Sequence, residues 1–127
     1  MTEEWRPVPG FEDRYEVSDE GRVRGLVCRW GRLKEPRVLK PGPDSYGHLY
    51  VNLISEEHPR SRPLRRPVHQ LVAGAFIGPR PEGQDTRHLD GNKLNNRAGN
   101  LAYGTRRQNI LDAIAHGTWG HGMRGSE

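Results

Sequence analysis

The last third of the chain allows few folds. Thr86–Leu89 reads as a short strand, Asp90-Gly91-Asn92 as a turn, Leu94–Gly99 as an Asn-rich loop and Asn100–Tyr103 as a returning strand. Thr105, with Gln108 three residues on, is a capping-box pair that predicts a helix to about His116, stopped at Gly117. At about 100° per residue, Ile110, Leu111, Ile114 and Ala115 share one arc of that helix, and Asn109, Asp112 and His116 lie opposite within about 60°. A two-stranded hairpin is marginal by itself, so the helix must cover it. The pattern is a ββα unit with a polar helix face turned from its own core.

Composition limits what surrounds this unit. Leu, Ile, Val and Phe number 25 of 127 residues and Gly plus Pro 26, so the core is thin and loops are many. Net charge is only +4, short of the signature of a disordered chain. No apolar run approaches the ~18 residues of a membrane span. The acidic, Pro-rich start (MTEEWRPVPG) is unlike a signal peptide. The one cysteine, Cys28, forbids an internal disulfide and any Cys-only zinc site, and points to a reducing cytoplasmic setting.

Ahead of the ββα pattern, Tyr15–Ser18 and Arg22–Val27 flank Asp19-Glu20-Gly21 and predict a hairpin, with Gly21 placed for a left-handed residue. Gly31 to Tyr46 reads as a Pro/Gly-punctuated stretch, and Gly47–Ile54 alternates as a third strand. Glu56–Arg66 reads as a basic loop or hairpin tip. Pro67 is suited to a helix's first position, and Val68–Phe76 follows with Val68, Leu71, Val72 and Ala75 on one face. The fold class is therefore α+β: a small antiparallel N-terminal β-sheet, then a helix and the ββα unit. Expected boundaries are 1–58, 59–118 and a flexible tail at 119–127.

Charge narrows the partner. Seventeen Arg stand against three Lys, and guanidinium forks match phosphate oxygens and base edges. Residues 1–20 carry seven acids and two Arg, whereas residues 21–127 carry nine acids and eighteen bases. A polyanion such as double-stranded DNA should meet the second part. Arg106 and Arg107 open the last helix, where cations oppose the helix dipole unless an anion lies near. Arg65 and Arg66 in the basic loop, Arg87 on the strand and Lys93 in the Asn-rich loop complete the candidate DNA contacts. His69, beside the apolar face of its helix, reads as a packed histidine, and His116 as a partner of the C-terminal dipole.

Phosphodiester hydrolysis needs a base for water, a cation on the phosphate and charge relief at the leaving oxygen. Histidine suits the first near neutral pH, and one divalent ion serves the others. His88 sits on the first strand, Asn100 begins the second 12 residues on, and Asn109 lies in the helix's first turn 21 residues on. The stretch RHLDGNKLNNRAGNLAYGTRRQN, Arg87 to Asn109, closely resembles the HNH (ββα-metal) nucleases, in particular their phage and homing branch. VHQLVAGAF (Val68–Phe76) resembles the helix that precedes the motif there. Trp5–Arg24, LKP and YGHLYVNL look like the nuclease-associated modular domain usually joined to such units.

The resemblance implies a DNA endonuclease, expected to nick as a monomer and to cut both strands only as a homodimer. It implies His88 as general base, Asn109 as a metal ligand, Asn100 in the catalytic set as the residue tying the loop together, and one Mg²⁺ or Mn²⁺. The residue before the base histidine is a metal-binding Asp or His in that family, and here it is Arg87. Three readings stay open. A carboxylate, Asp90 or Asp112, replaces the ligand; or Arg87 itself contacts the phosphate with metal binding weak; or the site is degenerate and the chain is a DNA-binding accessory protein. Asp90 also has a plain role, since Asp-Gly is a common turn pair. Members of the family often continue past a segment like HGTWG into a further DNA-reading helix. Only seven residues follow that segment here, so sequence preference is expected to be weak or supplied by a partner.

Overall fold

The computed structural model describes residues 2–115, with side chains described through Leu111. His116, the side chain of Asp112 and the expected tail at 119–127 lie outside the described residues. A four-stranded antiparallel sheet comes first, in the order β1 (Trp5–Pro7), β2 (Tyr15–Ser18), β3 (Val23–Cys28), β4 (Gly31–Val38). A three-stranded sheet follows, β5 (Gly42–Pro43), β6 (Leu49–Leu53) and β7 (Leu64–Pro67), and leads into α1 (Val68–Phe76). The chain then forms the hairpin β8 (Gln84–His88) and β9 (Leu101–Thr105), and ends its described course in α2 (Arg106–Ala115). The α+β architecture is the one the sequence predicts. No helix among the described residues is long and apolar enough to cross a membrane.

Three local expectations need correction. The stretch after Gly31 contains strands β4 and β5, and Trp5–Pro7 adds a strand at the other edge. β4 is an exposed edge strand with little apolar alternation, so only its pairing to β3 marks it. Arg65 and Arg66 are not in a loop: they sit on β7, opposite Asn52 and Val51. Pro67 ends that strand and caps α1 from outside, with φ −65° and ψ 137°. Its ring fixes a φ compatible with either state, and the extended ψ leaves it in the sheet.

One apolar cluster ties the layers together. Val8, Tyr15, Val17 and Val23 from the first sheet meet Val51 and Leu53 of β6, Val68, Leu71 and Val72 of α1, and Leu101 of β9. The α1 pattern buries Val68, Leu71 and Val72, with Ala75 packed against them. On α2, Leu111 is exposed, so the arc predicted to face the core is not fully covered among the described residues. Polar ties reinforce the join: the Ile54 amide donates to the Tyr15 hydroxyl oxygen at 3.0 Å, and the Ala98 amide donates to the Asp19 carbonyl at 2.8 Å. At the tip of the β2–β3 hairpin Gly21 has φ +90°, and a Cβ there would lie 3.0 Å from Asn96. Glycine is therefore required twice, for the left-handed turn and for the close approach of Asn96.

Three of the seven acids in residues 1–20 pair with arginines. Glu16 accepts from Arg24 at 2.6 Å, Glu4 pairs with Arg6 at 2.7 Å, and Glu3 pairs with Arg22. Arg24 also lies 4.0 Å from the centre of the Trp5 ring. Pairs this exposed contribute little stability. Arg22 and Arg24 offset two of the acidic charges of residues 1–20, while Arg32, Lys34 and Arg37 stay exposed along β4.

Candidate active site

The β8–β9 hairpin carries His88 at its end, paired with Leu101, and α2 follows β9 without a break. The helix start is built as its sequence predicts. Gln108 Oε1 accepts from the Thr105 amide at 2.7 Å and Thr105 Oγ1 accepts from the Gln108 amide at 3.2 Å. This reciprocal cap holds the first turn, where Asn109 sits half-buried.

Between the strands the Asn-rich loop is tied by two side chains. Asn100 Nδ2 donates to Asp90 Oδ1 at 2.9 Å and to the Asn95 carbonyl at 2.9 Å, while Asn100 Oδ1 accepts from the Asp90 amide at 3.0 Å. Asp90 Oδ1 also accepts from the Asn92 amide, and Asp90 Oδ2 from Asn95 Nδ2, both at 2.8 Å. The Asn95 amide, then the Asn92 amide and Asn100, hold the Asp90 carboxyl down at about 2. Asn100→Ala removes three hydrogen bonds at once and is expected to lower unfolding stability by about 2 kcal/mol, read from the urea midpoint. An unchanged midpoint would show that the loop closes without it.

His88 is anchored by a residue the sequence reading passed over. Its Nε2 lies 2.8 Å from Oδ1 of Asn96, which is 4% exposed. An amide oxygen only accepts, so Nε2 is the donor, and in the neutral ring the lone pair falls on Nδ1. A second omission is larger. The rings of His48, His69 and His88 meet at tilted angles in one cluster, with centroids 4.7 Å apart for His48–His69, 5.1 Å for His69–His88 and 5.7 Å for His48–His88. His69 is packed, as expected, but its Nδ1 and that of His48 are buried without a hydrogen-bond partner. Each such nitrogen costs about 1–3 kcal/mol. Burial first, then its two histidine neighbours, depresses His69 to about 3. Burial, with help from Lys93, also lowers His48.

The remaining candidates are spread around this centre. Arg87 lies on β8 opposite Ala102, and its side chain crosses Gly104 of β9, where an added Cβ would collide with Arg87 Cδ and lie 2.9 Å from Gln108 Oε1. Arg87 therefore runs toward the start of α2, where Arg106 and Arg107 are exposed. Lys93 donates from Nζ to the Tyr46 carbonyl at 2.9 Å, tying the loop to the turn before β6. Arg65 lies 3.9 Å over the Tyr50 ring, and Arg66 is exposed beside it.

Nothing local marks His48: alternation along Gly47–Ile54 groups it with Tyr50 and Asn52, away from the apolar positions. Asn96 is one of several asparagines in a loop, and only its burial against Gly21 sets it apart.

For a hard divalent cation the donor set is partial. Asn109 offers an amide oxygen in the capped first turn, but both Asp90 oxygens are engaged by the loop. Arg87 offers no donor atom to a cation.

A strand histidine, an Asn-tied loop and a capped helix together define a ββα unit with a small antiparallel sheet built in front of it. Comparison with known proteins gives that class its family. Residues 66–111 match the HNH endonuclease model and residues 3–54 match the NUMOD4 motif. The chain therefore carries an HNH endonuclease domain behind a NUMOD4 motif. It is 38% identical over 86 residues to YosQ, an SPbeta prophage-derived protein of Bacillus subtilis (strain 168) described as an HNH homing endonuclease, covering 68% of this chain and 47% of that one. It is 30% identical to the DNA endonuclease I-HmuI of Bacillus phage SP01, over 91% of this chain and 60% of that one. A solved structure on DNA binding and cleavage by the HNH homing endonuclease I-HmuI superposes with a TM-score of 0.73 at 31% identity, covering 91% of this chain and 60% of that chain. The chain thus spans about half to three fifths of these two relatives.

Proposed function

We propose that this chain is a DNA endonuclease that hydrolyses one phosphodiester bond per site, with His88 as general base. The observation that carries the reading is the 2.8 Å contact from His88 Nε2 to the buried Asn96 Oδ1. It fixes the ring and leaves Nδ1 with the lone pair a base needs. In this reading His88 Nδ1 takes the proton of the attacking water, and Asn96 holds the ring and stabilises the imidazolium that results. Asn100 and Asp90 keep the loop that carries Asn96 in shape. Asn109 would hold a divalent ion, Mg²⁺ or Mn²⁺. When bound, that ion supplies charge neutralisation at the phosphate and at the leaving oxygen.

Double-stranded DNA is the proposed substrate, gripped by Arg87, Arg106 and Arg107 near the start of α2 and by the exposed cations of β4 and β7. One site cuts one strand, so the monomer is expected to nick and a homodimer to cut both. The cytoplasm of a bacterial or phage-infected cell is the proposed setting.

The test is supercoiled plasmid incubated with Mg²⁺ or Mn²⁺, with and without EDTA. Open-circular product that needs the metal and His88 supports the reading. DNA binding that persists in EDTA, with no cleavage under any metal, would instead select the accessory-protein reading that Arg87 keeps open. Asn96→Ala is expected to slow cleavage about 10–100-fold at unchanged DNA affinity, as for groups that orient a reacting histidine. Asn96→Asp, which keeps an acceptor at Nε2, should recover part of that loss. Equal rates in wild type and Asn96→Ala would remove Asn96 from the mechanism.

A further inference from the structure

The three-histidine cluster has a feature that the proposed hydrolysis leaves unused. One nitrogen from each of His48, His69 and His88 lies within 4.8 Å of the others. The rings come from three separate parts of the fold: the residue before β6, the first turn of α1 and the end of β8. His69 is 8% exposed, and its Nδ1 and that of His48 are buried with no partner. Imidazole nitrogens that converge with no hydrogen-bond partner are a set of donors suited to an acceptor of electron pairs. His88 is further held by an amide oxygen at its Nε2, the outer-shell contact that commonly orients a metal-binding imidazole.

We propose that His48, His69 and His88 form a nitrogen-donor site for a borderline transition-metal ion of the Zn²⁺ or Co²⁺ kind, distinct from the oxygen-donor position at Asn109. Three imidazoles and an open fourth position suit such an ion, whereas Mg²⁺ prefers oxygen donors. Tetrahedral bonds of about 2.0–2.1 Å place ligand nitrogens roughly 3.3 Å apart, so loading draws the rings together by side-chain rotation.

The site has a regulatory consequence, which rests on His88 being the base. An ion on Nδ1 occupies the lone pair directly. An ion on Nε2 displaces Asn96 and shifts the proton to Nδ1, which then has no lone pair. Either way the base is withdrawn, so this ion inhibits where the oxygen-bound ion activates.

The experiment is titration of the purified full chain with Co²⁺, followed by visible absorption, and with Zn²⁺, followed by calorimetry. One ion per chain is expected, with visible bands of a nitrogen-ligated cobalt. Affinity should fall tenfold or more in His69→Gln and in His48→Gln, and stay level in Asn109→Ala. His48 is only half-buried, so His48→Gln keeps the test open if the His69 variant fails to fold. No binding at millimolar Zn²⁺, or unchanged affinity in a folded His48→Gln, overturns the site. With cleavage supported by Mg²⁺, added Zn²⁺ should inhibit wild type at lower concentration than His48→Gln. Binding without any cleavage leaves the metal site standing and removes the endonuclease reading, while cleavage without binding does the reverse.

Discussion

His88→Ala should lower the rate of plasmid nicking by about 10²–10⁴-fold at saturating metal, with DNA affinity unchanged. In the proposed mechanism this imidazole takes water's proton while its other nitrogen is held by Asn96 at 2.8 Å. Removing it would delete the proposed base and also leave Asn96 Oδ1 buried without its partner, at a cost of about 1–3 kcal/mol of stability. The two effects are separable. Far-ultraviolet circular dichroism and the urea midpoint report the fold, and single-turnover nicking reports the chemistry. Added free imidazole should restore part of the rate, because truncation leaves room for a small base where the ring stood. A variant that is folded and nicks as fast as wild type would end the assignment of His88.

Acidification is expected to produce the largest change in stability. His69 is depressed to about 3 in the folded protein, chiefly by burial, against an ordinary value of 6.5. Between those limits the unfolded chain binds a proton that the folded chain refuses, so stability rises with pH across the window. The contribution is fully present above about pH 6.5 and is lost as pH falls toward 3, by about 3–5 kcal/mol. His48 is lowered as well and acts in the same direction. Asp90, held at about 2 by its loop hydrogen bonds, adds a second acid-labile contribution at lower pH, lost as pH falls from its ordinary 3.8 through about 2. Urea midpoints measured from pH 7.5 down to pH 4 should fall steeply in wild type. In His69→Phe, where no proton can enter the buried position, the same series should flatten. A wild-type midpoint that holds steady over this range would contradict the depressed histidine.

The parts of the fold that can be read from the chain are those made within a few residues. The Thr105 and Gln108 cap, the Gly21 turn, the run Val68–Phe76 and the order of β8, loop, β9 and α2 all rest on local backbone preference and short-range hydrogen bonds. Strands β1 and β4 escape such a reading because pairing defines them. β4 has an exposed, charged course that would pass for loop in any chain without β3 beside it. The partial neutralisation of the acidic start also needs three dimensions, where Arg22 and Arg24 lie against Glu3 and Glu16.

The site divides in the same way. Spacing by itself determined that His88, Asn100 and Asn109 belong to one ββα unit, since strand, loop and helix lengths fix their order and approximate separation. The tertiary structure alone decided what surrounds His88. Asn96 is buried because the Gly21 turn closes on it, and His48 and His69 reach His88 because β6 and α1 share one apolar cluster with β9. Contacts between residues 48, 69 and 88 leave no period in the sequence, as each ring is brought in by the packing of a different element. Local chemistry thus set the hairpin and its cap, and long-range packing set the electrostatic surroundings of its histidine.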